Sequence, residues 1–420
     1  MQPSGPSTQA LRISVSGLRG TGLVLQNNGG DDLAVSADGT ISFATRLPIG
    51  TTYQVSLKSP PEYPPQTCTV SGDSGRVDEV TPPVVAVTCA RPPHFAFVTS
   101  LSRTSVLSID NASGAMSSTG FSIPYGGLLA ATLAPNGRFL YWADLLTNSV
   151  RSFAINIDSG ELRELSGSPA ATGLSEPQAM AIAPSGKFLY VAHRASNQLS
   201  IFAVDRLSGT LTLSTETAAT GNYPMAVAIT PDGRHLYVAN YTAGSISTYS
   251  LNSLTGAATF VHEISLASRA RFLAVEAASR FLYMTSGQDN LVYALAIDGA
   301  TGTLTSVPGS PFAAGNGAQN LATDPEGKAL YVTNETDGTV SAFGIDATTG
   351  SLTSLGAALP AGQYPEGVAV DPSGAHVYVA KQANQEIGIY ARDSQSGALS
   401  NPRASTTPYL PFGIAILGYR

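Results

Sequence analysis

The chain has 420 residues, with 22 Lys and Arg against 29 Asp and Glu, a formal net charge of −7 and only 12% charged residues. It lacks the clustered positive charge that a phosphate backbone requires, so no nucleic-acid partner is expected. The longest apolar stretches, such as 410–419, are too short and too interrupted to span a bilayer, while 42 Gly and 27 Pro mark a turn-rich chain.

Residues 1–10 are polar, rich in Pro, Ser, Gln and Thr, and read as a linker. Such a stretch is typical of the spacer behind an export signal or a lipid anchor. The expectation is an exported protein (periplasmic, cell-surface or extracellular), with an upstream lipid anchor left open. Residues 11–90 alternate apolar and polar in seven short runs, at 11–16, 22–26, 33–36, 40–44, 53–57, 67–70 and 84–88. Turn signals such as Asn28-Gly29-Gly30 and Asp38-Gly39 separate them. This density of strands predicts an immunoglobulin-like β-sandwich over 11–90. Cys68 and Cys89, 21 positions apart in the last two runs, point to a disulfide in an oxidising compartment; two buried thiols are the alternative. Gly72-Asp73-Ser74-Gly75 has the form of a serine-protease nucleophile loop, but no histidine in the domain serves it, and it reads as a plain turn.

From residue 91 the chain repeats. Pro135-Asn136-Gly137-Arg138-Phe139-Leu140-Tyr141 recurs as Pro184-Ser185-Gly186-Lys187-Phe188-Leu189-Tyr190, and again from Pro231, Ala277, Pro325 and Pro372, with a degenerate copy at His94-Phe95-Ala96-Phe97. The closing aromatic falls at 97, 141, 190, 237, 283, 331 and 378, a spacing of 44 to 49 residues. A second landmark, Gly after Ser or Thr, recurs in phase at 114, 160, 209, 256, 302, 350 and 397. Units of this length holding four short strands predict propeller blades. The first unit lacks an inner strand, which residues 410–417 match, so pairing of the two ends would close the ring and remove its exposed edges. The expected fold class is all-β, a seven-bladed β-propeller over 91–420 preceded by the small sandwich.

Three stretches carry a family resemblance: Pro-Ser-Gly-Lys-Phe-Leu-Tyr-Val-Ala-His (184–193), Pro-Asp-Gly-Arg-His-Leu-Tyr-Val-Ala-Asn (231–240) and Pro-Glu-Gly-Lys-Ala-Leu-Tyr-Val-Thr-Asn (325–334). With them, residues 91–420 resemble the lactonase family of seven-bladed propellers, which includes 6-phosphogluconolactonase-like proteins, and the related YVTN-type surface propellers. The resemblance implies the fold and suggests lactone hydrolysis. Lactonase-like enzymes carry a Pro-His-containing segment leading into an inner strand. Here Ser175-Glu176-Pro177-Gln178, Asn222-Tyr223-Pro224-Met225 and Gln363-Tyr364-Pro365-Glu366 occupy that place without histidine.

In a propeller, the loops leading into the inner strands share one face with the turns between second and third strands, around the channel. The repeat places Leu129, Gln178, Met225, Arg271, Gln319, Glu366 and Phe412 in one ring there, and Ser100, Asp144, His193, Asn240, Ser286, Asn334 and Lys381 in a second. A lactone hydrolase needs a base for water and a cation for the developing oxyanion. His193 or Glu366 would be the base, Arg271 and Lys381 the electrophilic partners, and Arg269 a holder of carboxylate or phosphate. Glu176, Gln178, Asp144, Asn240, Gln319 and Asn334 complete the candidate ligand-binding set. The alternative is that Arg271–Glu366 and His193–Asp144 are ion pairs or solvated loop residues. No zinc-type spacing occurs, and neither metal nor cofactor is expected. The function expected is an exported, monomeric propeller binding a small molecule, glycan or protein at the channel mouth, with lactone or ester hydrolysis as the alternative.

Overall fold

In the computed structural model, which describes residues 7–61, 66–90, 94–125, 131–266 and 268–417, the regular structure is strand apart from one 3-10 turn, Gln382–Asn384. The chain divides into two units at residues 92–93. No helix among the described residues is long and apolar enough to cross a membrane.

Among the described residues, the first unit holds eight strands in two four-stranded sheets. One sheet runs Gly39–Pro48, Thr8–Ser16, Val84–Ala90, Thr67–Ser71; the other runs Asp31–Val35, Leu23–Asn27, Thr52–Ser59, Ser74–Arg76. Alternation turns Leu11, Ile13 and Val15 of the first sheet and Leu23, Leu25 and Val55 of the second into one shared core. Two expectations need correction. Thr8–Ala10 belong to the first strand rather than to a linker, while residues 1–6 lie outside the described residues. Ser74 and Gly75, read as part of the turn Gly72-Asp73-Ser74-Gly75, begin an eighth strand, Ser74–Arg76, that pairs with Thr52–Gln54. Gly75 fits there because a side chain in its place would collide with the ring of Tyr53.

Cys68 and Cys89 lie directly opposite each other on neighbouring strands and are disulfide-bonded. Closing this loop restricts the unfolded chain, worth about 3 kcal/mol in the chain-entropy treatment. The double variant Cys68→Ala/Cys89→Ala is therefore expected to unfold this unit at lower urea concentration while the propeller transition stays put. An unchanged midpoint would mean that the bond adds no stability.

The second unit contains seven antiparallel sheets. The six complete in sequence order are blade 2 (131–171), blade 3 (177–219), blade 4 (224–265), blade 5 (272–313), blade 6 (318–360) and blade 7 (365–406). Blade 1 combines 94–123 with the last strand, Gly413–Leu417, which pairs with His94–Thr99 in the register Gly413↔Thr99 to Leu417↔Phe95. Each inner strand lies beside that of the next blade, and Gly413–Leu417 lies beside both 365–370 and 131–133, so the seven form a ring. Residues 91–93 and Leu129 lie outside the described residues.

Neighbouring blades cover both faces of each second strand, so these strands lose the polar/apolar alternation. Phe188–His193 and Ala329–Asn334 are buried throughout. The repeat tyrosines latch one blade to the next. The hydroxyls of Tyr141, Tyr190, Tyr237, Tyr283, Tyr331 and Tyr378 donate to the carbonyls of Gly209, Gly256, Gly302, Gly350, Gly397 and Gly114 at 2.7–3.2 Å. Those glycines have φ between 71° and 78°, and a side chain at Gly209 or Gly256 would run into Phe139 or Phe188 of the preceding blade. At the seventh position stands Phe97, which has no hydroxyl to donate.

Candidate functional site

The inner strands are nearest the axis, and four of them start irregularly. Pairing with the second strand jumps from Pro177 to Ala179, Pro224 to Ala226, Ala318 to Leu321 and Pro365 to Val368. Bulges of this kind re-aim side chains. They release Gln178 and Met225 in blades 3 and 4, and two residues each, Gln319-Asn320 and Glu366-Gly367, in blades 6 and 7. In blade 5, Arg271 stands just ahead of the inner strand, with its N–H donating to the Thr285 carbonyl at 3.1 Å.

Blades 5, 6 and 7 thereby gather Arg271, Gln319 and Glu366. Gln319 Nε2 donates to Glu366 Oε2 at 2.8 Å. Burial pushes the Glu366 carboxyl above the ordinary carboxylate range. The Gln319 hydrogen bond and the Arg271 charge oppose that rise, and the Glu335 carboxylate adds to it. Three buried atoms in this ring, Gln178 Oε1, Gln319 Oε1 and Arg271 Nε, have no hydrogen-bond partner among the described residues. Buried polar groups are ordinarily paired, so these are the atoms a ligand or solvent would satisfy.

Two threonines hold the pair from the preceding blade. Thr285 Oγ1 donates to the Gln319 carbonyl at 2.6 Å, and Thr333 Oγ1 donates to the Glu366 carbonyl at 2.8 Å while accepting the Asn320 N–H at 3.0 Å. The equivalent residues in blades 2, 3, 4 and 7 are Ala143, Ala192, Ala239 and Ala380. Blade 1 carries Thr99 at this position, where its Oγ1 accepts the Gly413 N–H at 3.0 Å, so threonine here marks a hydroxyl tie to an inner strand rather than the site alone.

The second ring has a different job. Asn240 Nδ2 donates to Ser245 and Ser247, and Asn334 Nδ2 to Thr339 and Ser341, at 2.8–3.1 Å. His193 Nε2 meets Ser200 Oγ at 2.8 Å, Asp144 Oδ2 accepts from Arg151 Nε at 3.0 Å, and Lys381 Nζ lies 3.6 Å from Glu386. Each contact braces the second strand of a blade to its own third strand. For Asp144, burial works against ionisation, but hydrogen bonds from Thr147 and Arg151 outweigh it and hold the carboxyl below its ordinary value. The structure therefore gathers Arg271, Gln319 and Glu366, while His193 and Lys381 take Ser200 and Glu386 of their own blades as partners. The suggested His193–Asp144 pair is replaced by His193–Ser200 and Asp144–Arg151.

His193 is fully buried, and burial pulls its imidazole down to about 4, with a backbone interaction at Ser175 opposing. A folded-state value below the unfolded 6.5 means that the native state resists protonation. Its contribution to stability is complete above 6.5 and drains away as pH falls towards 4, by about 3 kcal/mol at most. His193→Asn, which can brace Ser200 as Asn240 braces Ser247, is expected to flatten that loss between pH 7.5 and 4.5 in urea unfolding. An identical acid loss in the variant would place its origin elsewhere.

Around the mouth runs a chain of cations and rings. Glu176 accepts from Arg194 at 2.8 Å, Arg194 stacks on Tyr223 (5.2 Å), Tyr223 meets Tyr241 (6.0 Å) and Arg269 stacks on Tyr241 (5.1 Å). Arg269 also donates to the Tyr241 hydroxyl at 3.2 Å. Glu176 and Arg269 thus belong to the rim. Among the described residues, no group of three or more His, Cys, Asp or Glu side chains is placed to hold a metal.

Seven sheets around an axis, with polar side chains gathered at one end of the channel, define a seven-bladed propeller. The family description "Lactonase, 7-bladed beta-propeller" matches overlapping segments 105–227, 131–268, 213–316 and 270–409. The chain belongs to this lactonase family. Among solved structures it is similar to the Pseudomonas aeruginosa periplasmic gluconolactonase PpgL, with 20% identity and TM-score 0.67 over 79% of this chain and 100% of that one. It is also similar to a Bacteroides fragilis protein described as a candidate 6-phosphogluconolactonase, with 19% identity and TM-score 0.67 over 77% and 98%. A Lactobacillus plantarum protein aligns at 21% identity and TM-score 0.64 over 78% and 99%. At such identities the likeness concerns the fold. No curated protein matches the sequence.

Proposed function

We propose that the channel mouth binds a small polar ligand and opens a lactone ring, with Glu366 as general base. The observation that carries this is the Gln319–Glu366 pair, its carboxyl raised by burial, beside Arg271 with an unpartnered Nε. Glu366 takes a proton from water as the water oxygen bonds to the lactone carbonyl carbon. Arg271 stabilises the oxyanion, and collapse breaks the ring C–O bond while Glu366 returns its proton to the leaving oxygen. A pH-stat assay across γ- and δ-lactones, comparing wild type with Glu366→Gln and Arg271→Ala, tests it. Turnover unaffected by both substitutions would overturn the assignment. A second reading, binding without turnover, is favoured by one observation: His193, the histidine of the two rings, is sealed in a blade. Binding at the mouth with no turnover on any lactone would select it.

The two-sheet first unit supports an immunoglobulin-like spacer. The disulfide supports an exported protein, as does the fold likeness to a protein named as periplasmic. Within this reading the protein acts as a monomer without a nucleic-acid partner, and a lipid anchor upstream would tether it.

A further inference from the structure

We infer that the channel mouth takes an uncharged, hydroxyl-rich sugar chain of two or more rings, stacked on Tyr223 and Tyr364 and hydrogen-bonded to Gln319. This rests on the mouth being the ligand site proposed above.

The first observation is backbone conformation. The residue before the inner strand is left-handed in blades 3, 4, 6 and 7: Glu176 (φ 58°), Tyr223 (62°), Gly317 (73°) and Tyr364 (51°). The fold demands this, because each carbonyl accepts an N–H from the turn after the second strand: Arg194, Tyr241, Glu335 and Gln382 donate at 2.8–3.2 Å. Glycine meets that demand without strain, as Gly317 does. For a tyrosine the conformation is strained, because its Cβ crowds the following carbonyl, and a bulky residue with positive φ is an outlier. Core packing does not account for the two rings, since Tyr223 and Tyr364 are 37% and 54% exposed. Arg194 and Tyr241 fix the Tyr223 ring as a ready-made platform. Blades 4 and 7 flank the arc of blades 5 and 6, so the two tyrosines stand on either side of Arg271 and Gln319.

The second observation is which atoms are unsatisfied. The Gln319 amide is oriented by Glu366, which takes its N–H and leaves Oε1 as a buried acceptor with no donor among the described residues. Gln178 Oε1 is in the same condition. A phosphate or carboxylate has no proton to give these oxygens; it would serve Arg271 Nε alone and stand against the Glu366 carboxylate. Sugar hydroxyls both donate and accept, and the C–H faces of the rings match exposed aromatic faces. Unmet buried acceptors penalise any ligand that cannot supply donors.

The full chain would be titrated by saturation-transfer NMR and calorimetry with maltotriose, cellotriose and N,N′,N″-triacetylchitotriose, with glucose and gluconate as controls. At least one trisaccharide is expected to bind more tightly than glucose or gluconate. Tyr364→Ala and Tyr223→Ala, both at exposed rings, are expected to weaken it by about five- to tenfold, and Gln319→Leu to weaken it further, with melting of Tyr364→Ala unchanged. Absence of trisaccharide binding at millimolar concentration, tighter binding of gluconate, or affinity unmoved by both tyrosine variants would overturn the inference. Lactone turnover lost in Glu366→Gln alongside any of those results would leave the hydrolase reading standing and remove only the sugar chain. Trisaccharide binding that survives Glu366→Gln without lactone turnover in wild type would do the reverse.

Discussion

Glu366→Gln is expected to reduce lactone hydrolysis by about 10²- to 10⁴-fold, the range that a positioned general base supplies. The amide keeps the shape and can still meet Gln319, so the fall should appear in kcat with little change in KM. In wild type the active form is the carboxylate, and burial has raised the pKa of its acid. The rate should therefore rise with pH through a midpoint above the ordinary carboxylate range. Two neighbours set the direction of further shifts. Arg271 holds the carboxyl down, so Arg271→Gln moves the acid limb up while also lowering the plateau by loss of oxyanion stabilisation; Glu335 pushes it up, so Glu335→Gln moves the limb down. Stability has the opposite sign from His193. A carboxyl with a raised folded value is best tolerated below its unfolded pKa, and stability is lost as pH rises through the folded one. Glu366→Gln should thus melt higher than wild type at pH 8 and alike at pH 3. A limb that ignores both neighbours would remove Glu366 from the base role.

The propeller was legible because its period is written in residues that do fixed jobs. Tyr141 and its five counterparts latch onto the next blade, and the Ser/Thr-Gly landmark supplies the left-handed turn they latch to. The site was half legible. Counting from the Pro landmark identified Gln178, Arg271, Gln319 and Glu366 as one ring, since a charge in a neutral repeat has no role in building the blade. The same logic misjudged His193, Asn240 and Asn334, whose polarity is architectural: each reaches a hydroxyl two or more residues into its own third strand. Nothing in a one-dimensional repeat separates a polar residue aimed along the blade from one aimed at the axis. The bulges that make this difference are register shifts, and they show only in the pairing of strands. Thr99, Thr285 and Thr333 were all visible as departures from alanine, yet only carbonyls in the neighbouring blade set Thr285 and Thr333 apart from Thr99.

Deleting residues 408–420 is expected to cost more stability than any of the single substitutions. The lost strand supplies five residue pairs to His94–Thr99. It also bridges two blades, with the Phe412 N–H donating to Thr99 O and its carbonyl accepting from Gly367, both at 2.8 Å. Phe412 and Leu417 are 8% and 3% exposed, and re-exposing two such side chains costs on the order of 3–6 kcal/mol. That is a large part of the roughly 5–15 kcal/mol that holds a domain together. The remnant would be an open arc ending in Phe95-Ala96-Phe97-Val98, an apolar unpaired strand of the kind that recruits other chains. The junction of blade 1 with blade 2 also lacks the hydroxyl latch, because Phe97 stands where the other six blades carry tyrosine. Size-exclusion chromatography with light scattering should show aggregates in place of the native species, and calorimetry a broadened, lowered propeller transition. A synthetic peptide of residues 408–417 added in trans should restore part of both. A truncated chain that keeps the native elution and melting would mean that the ring does not depend on pairing of its two ends.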